Sequence, residues 1–538
     1  MNAKFLSAAF LLLGISMSNA QTGAVEGTNE TGFGLENGAA NSTSSTSGAA
    51  FFGYQAGYNT TTKDLHGNNN TFVGHKSGYT NLTGRDNVFL GTFTGYLNYS
   101  GYENVFLGSY AGYNSSNGYR NIFSGYYAGF QNTSGANNSY IGYKAGQNNT
   151  TSSNNAYFGY QAGMSTTALS GNNVFIGASS GQNNISGAFN TFLGAFSGLN
   201  NTAGNGTFIG YSAGYNNTAA GSTFMGYFAG NANTGGSENT FVGFNSGRTN
   251  LTGQRNTFLG YASGQNNKAG WNTFVGYNSG ASNQTGESNV YLGTIAGSGN
   301  TAGSYNVAVG YAAGNTNTSS NNLFMGIGAG ETSGGATNST YVGSWAGQNA
   351  TGNNNVFLGY NAGRNETGSN KLYIANSATT ALIYGDFSTG KVGIGGIYNY
   401  TGTDKFPVSA GSANVQNYKL FVKGGILTEE VRIHLSGGLT PWADYVFADD
   451  YKLKSLSEVE QFIKDNGHLP NVPSAKTVAE DGIELSQMAK IQQEKIEELT
   501  LYAIEQNKQL DAQKLQLEQQ QKEIDELKAA VKALAQKQ

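Results

Sequence analysis

The chain has 538 residues with 80 Gly, 33 Tyr, only 4 Pro and no Cys, and a formal net charge of −4. So small a charge excludes the strong electrostatic footprint of a nucleic-acid or anionic-membrane binder. The missing cysteines exclude disulfides, the usual zinc signatures and a lipid-bearing thiol, and the four histidines, His66, His75, His434 and His468, stand without ligand spacing.

The N-terminus, "MNAKFLSAAFLLLGISMSNAQTG", places Lys4 before an apolar run and Ser18-Asn19-Ala20 before Gln21. This pattern predicts a signal peptide over 1–20 and an exported protein, because the run is shorter than the roughly 20 residues of a membrane span. No other segment reads as a span, so the mature chain is expected to have none. Residues 21–49 read as a flexible N-terminal segment.

From residue 50 a block of the form [TV]-F-[VLI]-G-Y-x-[AS]-G recurs nineteen times, nearly always at a spacing of 16 to 18 residues, up to the copy that begins at 356. Positions are numbered here from the first residue of the block. Position 4 is Gly in all nineteen copies, as in Gly53 and Gly359, and so is position 8, as in Gly57 and Gly363. Position 2 is aromatic in eighteen, with Ala308 the exception, and position 3 is apolar in eighteen, with Ser124 the exception. Such regularity is the mark of a repeat architecture.

Each unit is too short for a strand plus a helix. Two short strands per turn, "TFVG" and roughly "YxAG", joined by Asn, Gly, Ser and Thr bends, fit the length. One unit cannot bury enough apolar surface to offset its ordering entropy, so the turns must stack. The expected fold of residues 50–370 is a two-sided parallel β-roll of nineteen repeats, and turns about 4.8 Å apart would make a rod roughly 90 Å long. Glycines fall where the chain bends or where another backbone approaches.

Neighbouring strand residues point to opposite faces. If Phe274 fills the thin core, Val275 faces outward, and the same holds in every repeat. An aliphatic ribbon running the length of a roll marks an interface, which predicts several identical rolls packed around one axis.

The stretches "NVAVGYAAG" (306–314), "NTFLGYASG" (256–264) and "NVFLGYNAG" (355–363) resemble the head repeat of YadA-type trimeric autotransporter adhesins. That resemblance implies a left-handed parallel β-roll in a homotrimer, displayed outside a Gram-negative cell and used in adhesion. The repeats here are longer and more aromatic, and the C-terminus lacks the alternating apolar strands of a membrane-anchor barrel.

Residues 371–480 have another composition and hold all four Pro, and they read as a mixed β/α neck. "KLYIANSATTALIYGDFSTGKVGIG" and "YKLFVKGGILTEEVRIHL" read as short strands. "SLSEVEQFIKDNG" reads as a helix with Ser455 as N-cap, Glu458 as its box partner and Gly467 as stop. From 481 to 538 a seven-residue register places Ala489, Ile496, Ala503, Leu510, Leu517, Ile524 and Val531 at a, and Leu485, Leu499, Leu527, Leu534 and four Gln at d. This predicts an α-helical coiled coil about 75 Å long, with three strands. The run "YKLKSLSEVEQFIKDNGHLPNVPSAKTVAEDGIELSQM" and the following "KIEELTLYAIEQ" resemble the C-terminal region of secreted bacterial proteins labelled tail-fibre-like. That similarity implies a trimerising or chaperone-like foot.

No catalytic, cofactor or metal residues are assigned. The seven acidic residues between 50 and 370 occupy no fixed repeat position, unlike the Asp of calcium-binding rolls, and no G-x-S-x-G elbow occurs. Ser455 beside Lys454 reads as a helix cap, not a nucleophile. Asn81 and Asn250, both in N-x-[ST] sequons, read as turn residues. An ice-binding solenoid needs threonines in file on a flat face, and the position 1 threonines alternate with Val and read as buried. The expectation is therefore a non-enzymatic trimeric fibre at the cell surface or secreted. It would bind glycans or matrix through repeated outward Asn, Thr, Ser and Tyr, its ligand-binding residues unassigned. The alternative is a phage-like tail fibre or structural matrix component.

Overall fold

A computed structural model describes residues 31–33, 48–60, 69–167, 170–396, 406–433 and 442–536. The expected signal peptide and nearly all of the N-terminal segment lie outside these residues. The chain divides into two compact units, Met1–Gly390 and Lys391–Gln538.

The first unit is a parallel β-solenoid. Each repeat contributes one three-residue strand, from Ala50–Phe52 to Val356–Leu358, and consecutive strands pair in parallel with no register slip. Phe274 stands opposite Phe258 and Val275 opposite Leu259. The strand Thr31–Phe33 extends the stack at one end. At the other, Lys371–Ile374 adds a further parallel strand and then pairs antiparallel with Ile383–Asp386.

Only one strand forms per turn, where the repeat pattern suggests two. The segment expected to be the second strand is a turn, because positions 6 and 8 adopt left-handed conformations: in one repeat Asn278 has φ 53° and Gly280 φ 57°. Two such residues curl the chain out of any extended path. The segment still hydrogen-bonds along the stack, as when the N–H of Gly78 donates to the carbonyl of Thr94 at 2.9 Å. Stacking thus continues through the bends.

The two glycines have separate causes. At Gly74 φ is 137°, and an added Cβ would lie 2.3 Å from the carbonyl oxygen of Gly91 in the next turn. At Gly280 it would lie 2.5 Å from the Phe274 ring. The first glycine lets backbones approach along the stack, and the second makes room for the core aromatic of its own repeat.

That aromatic is the core. Fifteen rings from Phe51 to Tyr291 form one unbroken column with centroids 4.7 to 5.2 Å apart. Ala308 interrupts it. There the Phe324 ring leans toward the vacant layer and tilts 38° from Tyr341. At two of the positions where Tyr replaces Phe the hydroxyl meets a buried amide: Asn149 donates to the Tyr140 oxygen at 2.7 Å, and Asn300 donates to that of Tyr291. Burial pushes the Tyr140 phenol far above its ordinary pKa.

Beside the column runs a buried file of small residues at position 7, among them Ala111, Ala145 and Ala229, and the rest of the interior is polar. Asparagine before the strand, replaced in some repeats, as by Gly206, Ser222 and Ser339, forms a file whose side chains typically bridge to the next turn twice. Oδ1 of Asn70 accepts the backbone N–H of Asn87 at 3.0 Å, and Nδ2 of Asn70 donates to the carbonyl of Gly84 at 2.8 Å. A second buried file lies at position 11, where Asn98 donates to Asn81 at 2.7 Å and Asn250 to Asn233 at 3.1 Å. Asn81 and Asn250 are fully buried, so they are core residues and not outward turn groups. Amides suit this role because one side chain both donates and accepts.

In the second unit, Lys391–Ile394 pairs in parallel with Leu420–Val422. Among the described residues of "YKLFVKGGILTEEVRIHL", only Leu420–Val422 is a strand, and Gly424 to Ile433 form none. The helix Leu456–Asn466 begins with the expected capping box between Ser455 and Glu458 and ends at Gly467 in the left-handed region. The C-terminal helix Leu485–Ala535 runs without a break for 51 residues.

Candidate functional surface

With position 2 pointing inward, positions 1 and 3 both face outward from the strand face. Position 3 forms an aliphatic file open to solvent in the single chain: Leu90 is 49% exposed, Leu193 45% and Leu259 46%. Position 1 is not buried, contrary to its sequence reading. Six consecutive repeats carry Thr there, from Thr191 through Thr207, Thr223, Thr240 and Thr257 to Thr273. Each is exposed or half-buried, because the core is only one residue deep and nothing in the chain covers the outer side.

Beside the aliphatic file runs an exposed aromatic one at position 5. Tyr211, Tyr227, Phe244, Tyr261 and Tyr277 stack with centroids 5.1 to 5.2 Å apart. In the N-terminal third another file, at position 9, stacks Tyr58, Tyr79, Tyr96, Tyr113 and Phe130 at 5.0 to 5.3 Å. Rings stacked on one another occupy each other's faces, so these files offer edges and hydroxyl groups outward. Sequence reasoning did not find the position 9 file, which is aromatic only in this stretch.

Charge on the solenoid surface is sparse, and part of it is paired. Arg120 meets Glu103 at 2.8 Å and Arg255 meets Glu238 at 2.8 Å, each across one turn and solvent-exposed. Such pairs contribute little. The surface therefore offers periodic shape, apolar area and neutral hydrogen-bonding groups.

In the second unit the C-terminal helix has two opposed faces. The short 3-10 helix Ala443–Phe447 and its neighbours pack on the b, c and f side. The Tyr445 hydroxyl donates to Glu494, Asn471 donates to Glu494 at 3.1 Å, and the Tyr451 hydroxyl donates to Glu498 at 2.5 Å. Lys495 bridges Glu494 and Glu498 at 2.8 and 2.7 Å. Burial opposes the charge on Glu494, but hydrogen bonds from Lys495, Tyr445 and Asn471 outweigh it and hold the carboxyl below its usual range. Burial and the Glu494 carboxylate push the Tyr445 phenol up to about 12. On the other side the a and d residues Leu485, Ile496, Leu499, Leu510, Leu517 and Leu527 are all exposed. Ser455 is engaged in its cap with Glu458, and Lys454 accepts from Tyr502 through its backbone carbonyl.

No protein-family model and no curated protein matches the chain.

Proposed function

We propose that the protein is a non-enzymatic, homotrimeric fibre of the cell surface or extracellular space, with a solenoid head that adheres to glycans or matrix by repetition and a coiled-coil foot. The observation that carries this reading is the aliphatic file at position 3, which runs in register along the solenoid and lies open in one chain. A water-facing stripe of that length is an interface awaiting a partner. A partner with the same repeat is another copy of the chain, arranged about a closed axis. The apolar a and d seam of the C-terminal helix supports the same arrangement, since the cap of phenols and carboxylates occupies its opposite side. The resemblance to YadA-type heads points to three chains and to a left-handed roll.

Adhesion follows from what covering the strand face leaves free. The bends offer amides, hydroxyls and tyrosine edges at one spacing, suited to a long neutral polymer that makes many weak contacts. The test is a glycan and extracellular-matrix binding array probed with the assembled rod. Saturable binding that fails when the solenoid is shortened supports adhesion. A rod that binds nothing on the array but assembles into larger structures favours the structural-matrix reading.

The in-register Thr file from Thr191 to Thr273 favours a second reading, in which this flat face orders water and binds ice. Thermal hysteresis measured on the purified protein tests it, and the two readings compete because they use the same face.

A further inference from the structure

The last parallel strand of the solenoid, Lys371–Ile374, and the returning strand Ile383–Asp386 are paired so that Lys371 stands opposite Asp386 and Tyr373 opposite Tyr384. Both tyrosine rings are buried. Lys371 Nζ lies 2.6 Å from Asp386 Oδ2, and each side chain is 11% exposed. The other carboxylate oxygen of Asp386, Oδ1, accepts the backbone N–H of Ser388 at 2.9 Å and the Ser388 hydroxyl. A second carboxylate is close. Glu366 accepts the Tyr373 hydroxyl through Oε2 and the Gly368 N–H through Oε1 at 2.8 Å. A Cβ built on Gly368 would stand 2.9 Å from Glu366 Oε1 and 3.1 Å from Lys371 Cε, which places the Glu366 carboxylate and the lysine stem within about 6 Å of each other without direct contact.

We propose that Lys371 and Asp386 condense to an intramolecular amide that closes the end of the solenoid. The resting pair is ionised, so the first event is transfer of a proton from the Lys371 ammonium to Asp386 Oδ2 through their contact. The neutral amine then attacks Cγ, and an N–C bond forms while negative charge gathers on Oδ1. Ser388 already supplies two hydrogen bonds to that oxygen, which is the arrangement that stabilises an oxyanion. Glu366 takes a second proton from Nζ and returns it to Oδ2, the C–O bond breaks, and Oδ2 departs as water. The balance is one ammonium and one carboxylate giving one amide and one water, with Glu366 regenerated and no oxidant or co-reactant required. Proximity drives the step, because the reacting groups are held face to face by strand register. In a chain without Cys, this bond would serve as a covalent staple, limiting the freedom of the unfolded chain as a disulfide does.

The inference is independent of the adhesive reading. Intact mass spectrometry of residues 21–538 is expected to show one water less than the sequence requires. Trypsin under denaturing conditions is expected to leave Lys371 uncut and to yield residues 365–391 as one peptide, with no backbone fragments released between 371 and 386. Lys371→Arg keeps the charge opposite Asp386 but cannot form the amide, and should restore the full mass. Glu366→Gln should slow the loss of water, followed as the fraction converted with time after expression. A wild-type chain of full mass that is cleaved after Lys371 overturns the proposal, as does a water loss that maps to another peptide. The wild-type digest decides the point even if a variant fails to fold.

Discussion

The backbone N–H of Asn104 donates to Oδ1 of Asn87 at 3.0 Å, one full turn away, and Oδ1 of Asn104 accepts in the same way from the N–H of Asn121. This file binds each turn to the next beside the aromatic column. Asn104→Ala would strand the N–H of Asn121 and the carbonyl of Gly118 in the interior. Leaving buried groups unpaired costs about 1–3 kcal/mol each. Urea denaturation should show a loss of that order, whereas Asn114→Ala, at an exposed amide pair with Gln131, should change stability by less than about 0.5 kcal/mol.

Gly74→Ala should disrupt stacking, because its Cβ would meet the Gly91 carbonyl and its φ of 137° is hostile to any side chain. Gly334→Ala meets nothing within 4 Å and should be tolerated. Thermal unfolding followed by circular dichroism separates the two: Gly74→Ala is expected to cost roughly 3 kcal/mol or more, from overpacking plus backbone strain.

Ala308→Phe should complete the aromatic column and allow the Phe324 ring to return to the stack. Filling such a gap typically adds about 0.5–2 kcal/mol. A rise in the denaturation midpoint checks this, and a fall would mean that the leaning Phe324 already fills the layer.

The acid and alkaline limits of the C-terminal unit follow from its phenol and carboxylate cap. The pKa of Glu494 is depressed in the folded chain, so its contribution is complete above the unfolded carboxylate pKa and is lost as pH falls through the folded value. Tyr445 is raised to about 12, so its contribution is complete below the unfolded phenol pKa and fades as pH climbs toward that figure. Protection of the amides around Ala443–Phe447 relative to their intrinsic exchange rates should therefore fall at both extremes. Tyr445→Phe should weaken both limbs, and part of the alkaline limb should persist because burial and Glu498 also raise the Tyr451 phenol.

Much of the solenoid is legible in the sequence. The spacing of the glycines gives the turn, and the aromatic at position 2 shows which side of each strand is inside, since alternation leaves no choice. The second half of the repeat was misread for a physical reason. Position 6 is held at positive φ whether it is Gln55, Tyr110, Ile295 or Trp345, so stacking neighbours impose a conformation that the residue type does not announce. The asparagine files were missed because asparagine at a bend normally reads as a turn former, and only the stack reveals that Asn81 and Asn250 point inward. The lysine–aspartate pair at the end of the solenoid depends on strand register, which residue spacing alone did not supply. The helix cap at Ser455 was legible because a capping box is local.

Light scattering of residues 21–538 at micromolar concentration tests the central claim most directly. Three chains joined along their aliphatic strand faces should give a mass three times that of one chain, and Leu193→Lys with Leu259→Lys should lower it while the solenoid's circular dichroism persists. A wild-type chain that stays monomeric at that concentration, with Leu193 and Leu259 open to water, would contradict it.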